Sequence, residues 1–218
     1  GMGKSRLLAE ATRIARRVAK DARIVAAAAA APDREADSSF IRRIVADLAG
    51  LDVQGESHVV KLRRALDDAM GVGRSALAHA QALSELLSAE GRATSSGGID
   101  LVRARDGSRL AFLEWLRALA SRAPLVLHLE DLQWADDLSL ELLEELVDVC
   151  EELPLWIVAT GRPELLSRKA QPFAGPETRT MTPRGLTRRG IAALAEGIAG
   201  RPLGDALVAR LAERTSGN

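Results

Sequence analysis

Cysteine is nearly absent from this chain. Cys150 stands alone, so no internal disulfide can form, which suits a reducing compartment. An excess of either charge is missing as well: Lys plus Arg and Asp plus Glu number 30 each, for zero net charge. No basic surplus advertises nucleic acid, and no acidic tail advertises a basic partner. The longest purely apolar run, Ile24 to Ala31, is less than half of the roughly 20 residues that cross a bilayer. Histidine is sparse, and His58, His79 and His128 show no zinc-ligand spacing, which places them at packing or surface positions. No internal repeat is visible, and no N-K-x-D guanine-reading motif occurs.

What is present is the balance of a globular protein. The 218 residues suffice for one large domain, or a main domain with a small one, at 47% hydrophobic and 28% charged composition. Abundant Ala and Arg suggest GC-rich coding and a bacterial source.

Periodicity predicts a helix over Arg6 to Ala19 and a strand beginning near Arg23 and closed by Pro32. Phe40 to Leu51 and Val59 to Leu87 read as helical, interrupted at Gly71 and Gly73. Residues 88–108, rich in Gly and Ser, read as a mobile loop. A tight alternation follows: helix Arg109 to Arg122, strand Pro124 to Leu129, helix Ser139 to Leu153, strand Leu155 to Thr160. Such alternation predicts parallel strands covered by helices on both faces, an α/β core over residues 1–175. After a loop with three prolines, residues 183–218 form short helices, a small subdomain.

Three stretches carry chemistry. The opening, GMGKSR, matches the end of the phosphate-loop pattern G-x-x-x-x-G-K-[ST] at Gly3, Lys4 and Ser5, with Gly1 and Met2 before them and Arg6 after. Glycines let backbone N–H groups turn toward phosphate oxygens. Lysine neutralises the β and γ charges, and the serine hydroxyl ligates magnesium at a helix start whose dipole favours anions. Alone the match is weak, because an ordinary helix start reads the same. GVGRS at Gly71 to Ser75 shows how cheap it is, but lies in a helical region with no strand before it and reads as a helix break.

LVLHLEDLQWAD, Leu125 to Asp136, describes a buried strand that delivers Glu130 and Asp131 at its carboxyl end, where open α/β sheets bind ligands. An acid there holds the magnesium shell, and a second orients the attacking water. Helix capping falls instead to Asp136 and Asp137. LWIVATGRPEL, Leu155 to Leu165, is another apolar strand that ends in Thr160 and Arg162, and an arginine there reads a γ-phosphate. These later strands settle the opening as a nucleotide loop, and the missing guanine motif tilts the base toward adenine.

Together these stretches resemble the AAA-type ATPase modules of the STAND group, the signal-transduction ATPases with numerous domains. The resemblance is closest to the bacterial subgroup whose Walker B reads L-E-D-L-[HQ]-W-A-D, matched at Leu129 to Asp136. Ala159 to Glu164 is similar to that family's sensor 1 segment, and the ending LAERTSGN to its lid helix. The resemblance implies ATP with Mg2+ as ligand: Gly1 to Arg6 on the phosphates, Ser5 and Glu130 on the metal, Asp131 as catalytic acid, Arg162 as sensor. Trp134 would be a packing anchor behind the site.

It further implies a cytoplasmic regulatory module, switching between ATP and ADP states and linked to a DNA-binding, cyclase or kinase effector domain, without direct nucleic-acid or membrane contact. A nucleotide-dependent platform without significant hydrolysis stays open as an alternative. So does a ring motor assembling as a nucleotide-dependent oligomer, with a finger among Arg168, Arg179 and Arg184. By the same resemblance, the chain opens inside Walker A without the strand that feeds the loop, and residues 1–218 alone are expected to fold marginally and bind ATP poorly.

Overall fold

Leu125–Glu130 forms the strand on which the architecture turns. Its residues Leu125 through Leu129 are all buried, as required of a strand covered on both faces. The computed structural model describes residues 3–35, 38–51, 58–88, 98–150, 153–168 and 173–217. Among these, β1 (Arg23–Ala28), β2 (Leu125–Glu130) and β3 (Leu155–Ala159) make one parallel sheet in the order β1-β2-β3. Arg23 pairs with Leu125, and Leu125 with Leu155. Parallel neighbours need long crossovers, and helices supply them.

The helices are α1 (Lys4–Val18), α2 (Ser39–Ala49), α3 (His58–Met70), α4 (Arg74–Ser88), α5 (Gly98–Ala120), α6 (Asp137–Cys150), α7 (Glu164–Arg168), α8 (Arg188–Ala199) and α9 (Asp205–Thr215). The result is the α/β architecture expected, a parallel sheet flanked by helices. No helix among the described residues is long and apolar enough to cross a membrane.

The chain divides into two compact units, Gly1–Ala11 with Arg179–Asn218, and Thr12–Thr178. The larger unit holds the sheet and its core. Phe40, Ile41, Ile44, Val45 and Leu48 recur at helical spacing on α2 and are all buried. They pack in one cluster with the β2 leucines, Leu62 and Leu66 of α3, and Phe112 and Trp115 of α5. In the smaller unit Ile191 of α8 and Val208 of α9 are buried with Leu8 of α1.

Capping explains several boundaries. Gly50 ends α2 in the left-handed conformation at φ 61°, its N–H on the carbonyls of Ala46 and Asp47. Gly71, at φ 86°, turns the chain between α3 and α4, so GVGRS is the helix break expected of it. The start of α2 is unusual. Ser38 gives it no side-chain cap, and the acceptor comes from Asp136 instead. That carboxylate, 3% exposed, takes the N–H groups of Ser38 (2.9 Å), Phe40 (3.2 Å) and Ser139 (2.8 Å) and the Ser139 hydroxyl (2.6 Å). Ser139 Oγ accepts the Ile41 N–H at 3.1 Å. One acid thus caps both α2 and α6, the capping role expected of Asp136 enlarged to two helices.

One expectation fails. The loop anticipated over 88–108 is helical from Gly98 onward, within α5; residues 89–97 lie outside the described residues. Tertiary packing overrides the Gly and polar content there: the buried Ser108 donates to the carbonyls of Ala82 on α4 (3.0 Å) and Ala104 (2.9 Å).

Candidate functional site

The carboxyl end of β2 and that of β3 are built as one object. Thr160 donates its N–H to Leu129 O (2.8 Å) and accepts the Leu132 N–H (3.0 Å), so the ladder continues past both strands and flanks Glu130 and Asp131. Asp131 sits in the left-handed region, at φ 55° and ψ 41°. A non-glycine residue there carries roughly 1 kcal/mol or more of backbone cost, tolerated best by Asp and Asn. The chain then enters a 3-10 turn, Leu132–Trp134, with Leu132 and Gln133 buried. Trp134 is partly buried against the main core, the packing position anticipated for it.

Gln133 is 3% exposed. Its Oε1 accepts the Arg162 N–H at 3.0 Å, and its Nε2 donates to Asp131 Oδ1 at 3.3 Å. Arg168 donates to the carbonyls of Gln133 (3.1 Å) and Ala135 (2.8 Å) and pairs with Asp137, so this arginine of α7 braces the turn. Thr160 Oγ1 is buried without a hydrogen-bond partner among the described residues. Arg162 is exposed, and Glu130 and Asp131 are half-buried.

Behind them His128 of β2 is buried, its Nδ1 3.2 Å from Thr12 Oγ1 on α1, while Nε2 has no partner among the described residues. Burial pulls the imidazole pKa below its ordinary 6.5, and the Glu130 carboxylate opposes that shift.

Glu130, Asp131 and Arg162 therefore share one strand-end constellation in the larger unit. Lys4, Ser5 and Arg6 open α1 in the smaller unit, directly after Gly3, whose φ is +83° and whose carbonyl accepts the Leu7 N–H at 3.0 Å. Gly1 and Met2 lie outside the described residues. The first turn of α1 carries no acid. Sequence reasoning missed what Gln133 and Arg168 do here; a polar residue between two apolar ones gives no sign that it is buried and bonded on both sides.

No group of three or more His, Cys, Asp or Glu among the described residues is arranged to hold a metal ion. Magnesium arriving with a nucleotide needs less, one or two carboxylates with phosphate oxygens and water, and Glu130 suits that donor set. A separate cavity of about 410 Å³, lined by Glu141, Glu144, Glu145, Asp148, Phe173 and Ala174, has the wrong charge for phosphates.

A parallel sheet that presents acids at the carboxyl end of its central strand, after a Gly-Lys-Ser helix start, defines a P-loop nucleotide-binding ATPase core. Residues 1–158 match the family model described as AAA ATPase domain, and the chain belongs to that family. The match ends just before Thr160 and Arg162. No curated protein and no solved structure matches the chain.

Proposed function

We propose that this AAA ATPase domain is the nucleotide-dependent switch of a larger STAND-type signalling or transcription-regulating protein, and that it hydrolyses Mg-ATP slowly. The observation that carries the reading is the strand-end constellation: Glu130 and Asp131, at the end of the buried β2, lie beside the segment after β3 that carries Thr160 and Arg162, tied to it by ladder bonds and Gln133. In this reading Lys4 neutralises the β- and γ-phosphates, and Ser5 and Glu130 hold magnesium. Asp131 orients the attacking water, and Arg162 answers the γ-phosphate. The bound nucleotide switches the protein only through its different affinity for two arrangements.

The test uses the full-length protein that carries this domain. Lys4→Ala should abolish Mg-ATP binding in equilibrium titration, and Asp131→Asn should leave binding intact while lowering single-turnover hydrolysis by about 100-fold or more. Undiminished binding by Lys4→Ala overturns the site. If binding is lost with Lys4→Ala but Asp131→Asn hydrolyses as the natural protein does, the alternative stands: a platform that holds nucleotide without significant turnover. The order of the acids, with the shorter one last, favours that alternative.

A further inference from the structure

We propose that Gln133 is a positioning residue for hydrolysis, fixing the Asp131 carboxylate and locking it to the segment that bears Arg162. The inference rests on the reading that Asp131 acts on the attacking water. Its ground is the bonding of one buried amide. An N–H can only donate, so the group facing Arg162 N must be Oε1; a carboxylate can only accept, so the group facing Asp131 must be Nε2. The amide is thus oriented by its partners. It needs one donor and one acceptor, held about a side-chain length apart. The turn carrying it is braced from behind by Arg168.

Asp131 occupies a left-handed backbone position, so its carboxylate does not follow the strand geometry of β2. The Gln133 bond is one of the contacts that hold it. Gln133 also grips the main chain at Arg162, so a shift of either the acid or the sensor segment is felt by the other. Supporting contacts of this kind typically change rate by 10- to 100-fold without themselves touching substrate.

Only side chains offering both a donor and an acceptor can stand in. Methionine matches the shape but offers no donor and only a weak sulfur acceptor. Neutral histidine offers both, one on each ring nitrogen, but loses the acceptor on protonation. In the full-length protein, Gln133→Met should lower single-turnover ATP hydrolysis about 10- to 100-fold while the Mg-ATP dissociation constant stays within about twofold. Gln133→His should recover much of the rate at about pH 8 and lose that recovery near pH 6, a pH limb that the natural protein lacks. In an Asp131→Asn background, Gln133→Met should slow hydrolysis no further.

The inference is overturned if Gln133→Met hydrolyses at the natural rate, if rate and affinity fall together, or if the full loss persists in the Asp131→Asn background. Should Gln133→Met not fold, the pH dependence of Gln133→His decides, and a flat rescue or none overturns it. An unaffected Asp131→Asn protein fails the hydrolysis reading itself; a slow Asp131→Asn protein beside a fast Gln133→Met one fails only this inference.

Discussion

Asp136 satisfies four donors with two oxygens, and its removal strands all of them, three in a buried setting. Asp136→Ala should therefore destabilise the larger unit by at least about 3 kcal/mol, read as a lower urea midpoint, with Asp136→Asn between the two because an amide keeps only one acceptor. His128 makes a second prediction, with a sign. Above its ordinary pKa of 6.5, native and unfolded chains are both neutral at this residue, and stability is at its full value. As pH falls below 6.5 the unfolded chain takes up a proton that the buried imidazole refuses, because its folded pKa is depressed. Stability then falls by up to about 1.4 kcal/mol per pH unit until the native ring protonates. Urea midpoints from about pH 7.5 down to about pH 5.5 should drop more steeply in the natural protein than in His128→Leu. Equal slopes refute this. At this scale Glu130, Asp131 and Arg162 stand out in the sequence, because acids and a guanidinium after apolar runs have no packing purpose. Gln133 does not, since its role depends on backbone 29 positions away.

Elements were more legible than single residues. The apolar run of β2 and the stripe of α2 are periodic signals that depend on local sequence alone, and both form as anticipated. The beginning of α5 was hidden because its Gly, Asp and Ser content favours a loop, and the bond from Ser108 to α4 is a tertiary fact. In the smaller unit, the turn after α9 makes a sharp demand. Gly217 sits at φ +83°, and a Cβ there would lie 2.8 Å from Leu186 O and 2.9 Å from Leu186 N. Its own carbonyl accepts the Leu186 N–H at 2.7 Å. Gly217→Ala should cost more than about 2 kcal/mol, seen as faster hydrogen exchange across α8 and α9. Gly197, inside α8 with open space around its Cα, should behave oppositely: Gly197→Ala should stabilise by about 0.5–1 kcal/mol.

For the molecule as a whole, charge and nucleotide response are the quantities to measure. For residues 1–218 themselves, equal numbers of acids and bases and an isoelectric point near 7.1 put the weakest self-repulsion at neutral pH, so light scattering on this domain should show a solubility minimum there and recovery on either side. Arg162→Ala in the full-length protein should spare ATP binding while narrowing the difference between ATP and ADP affinities, by about tenfold if the guanidinium meets the γ-phosphate. Equal ATP and ADP affinities in the natural protein would remove the basis of that prediction. Family membership was legible from short motifs, whereas the bonds that join distant segments were not. Asp136 shows what such a bond means during synthesis. The head of α2 waits for an acceptor 98 positions downstream, and at about 5–20 residues per second the ribosome needs about 5–20 s to deliver it. For that interval Phe40 and Ile41 have no finished seat, and a nascent-chain chaperone has its natural window of engagement.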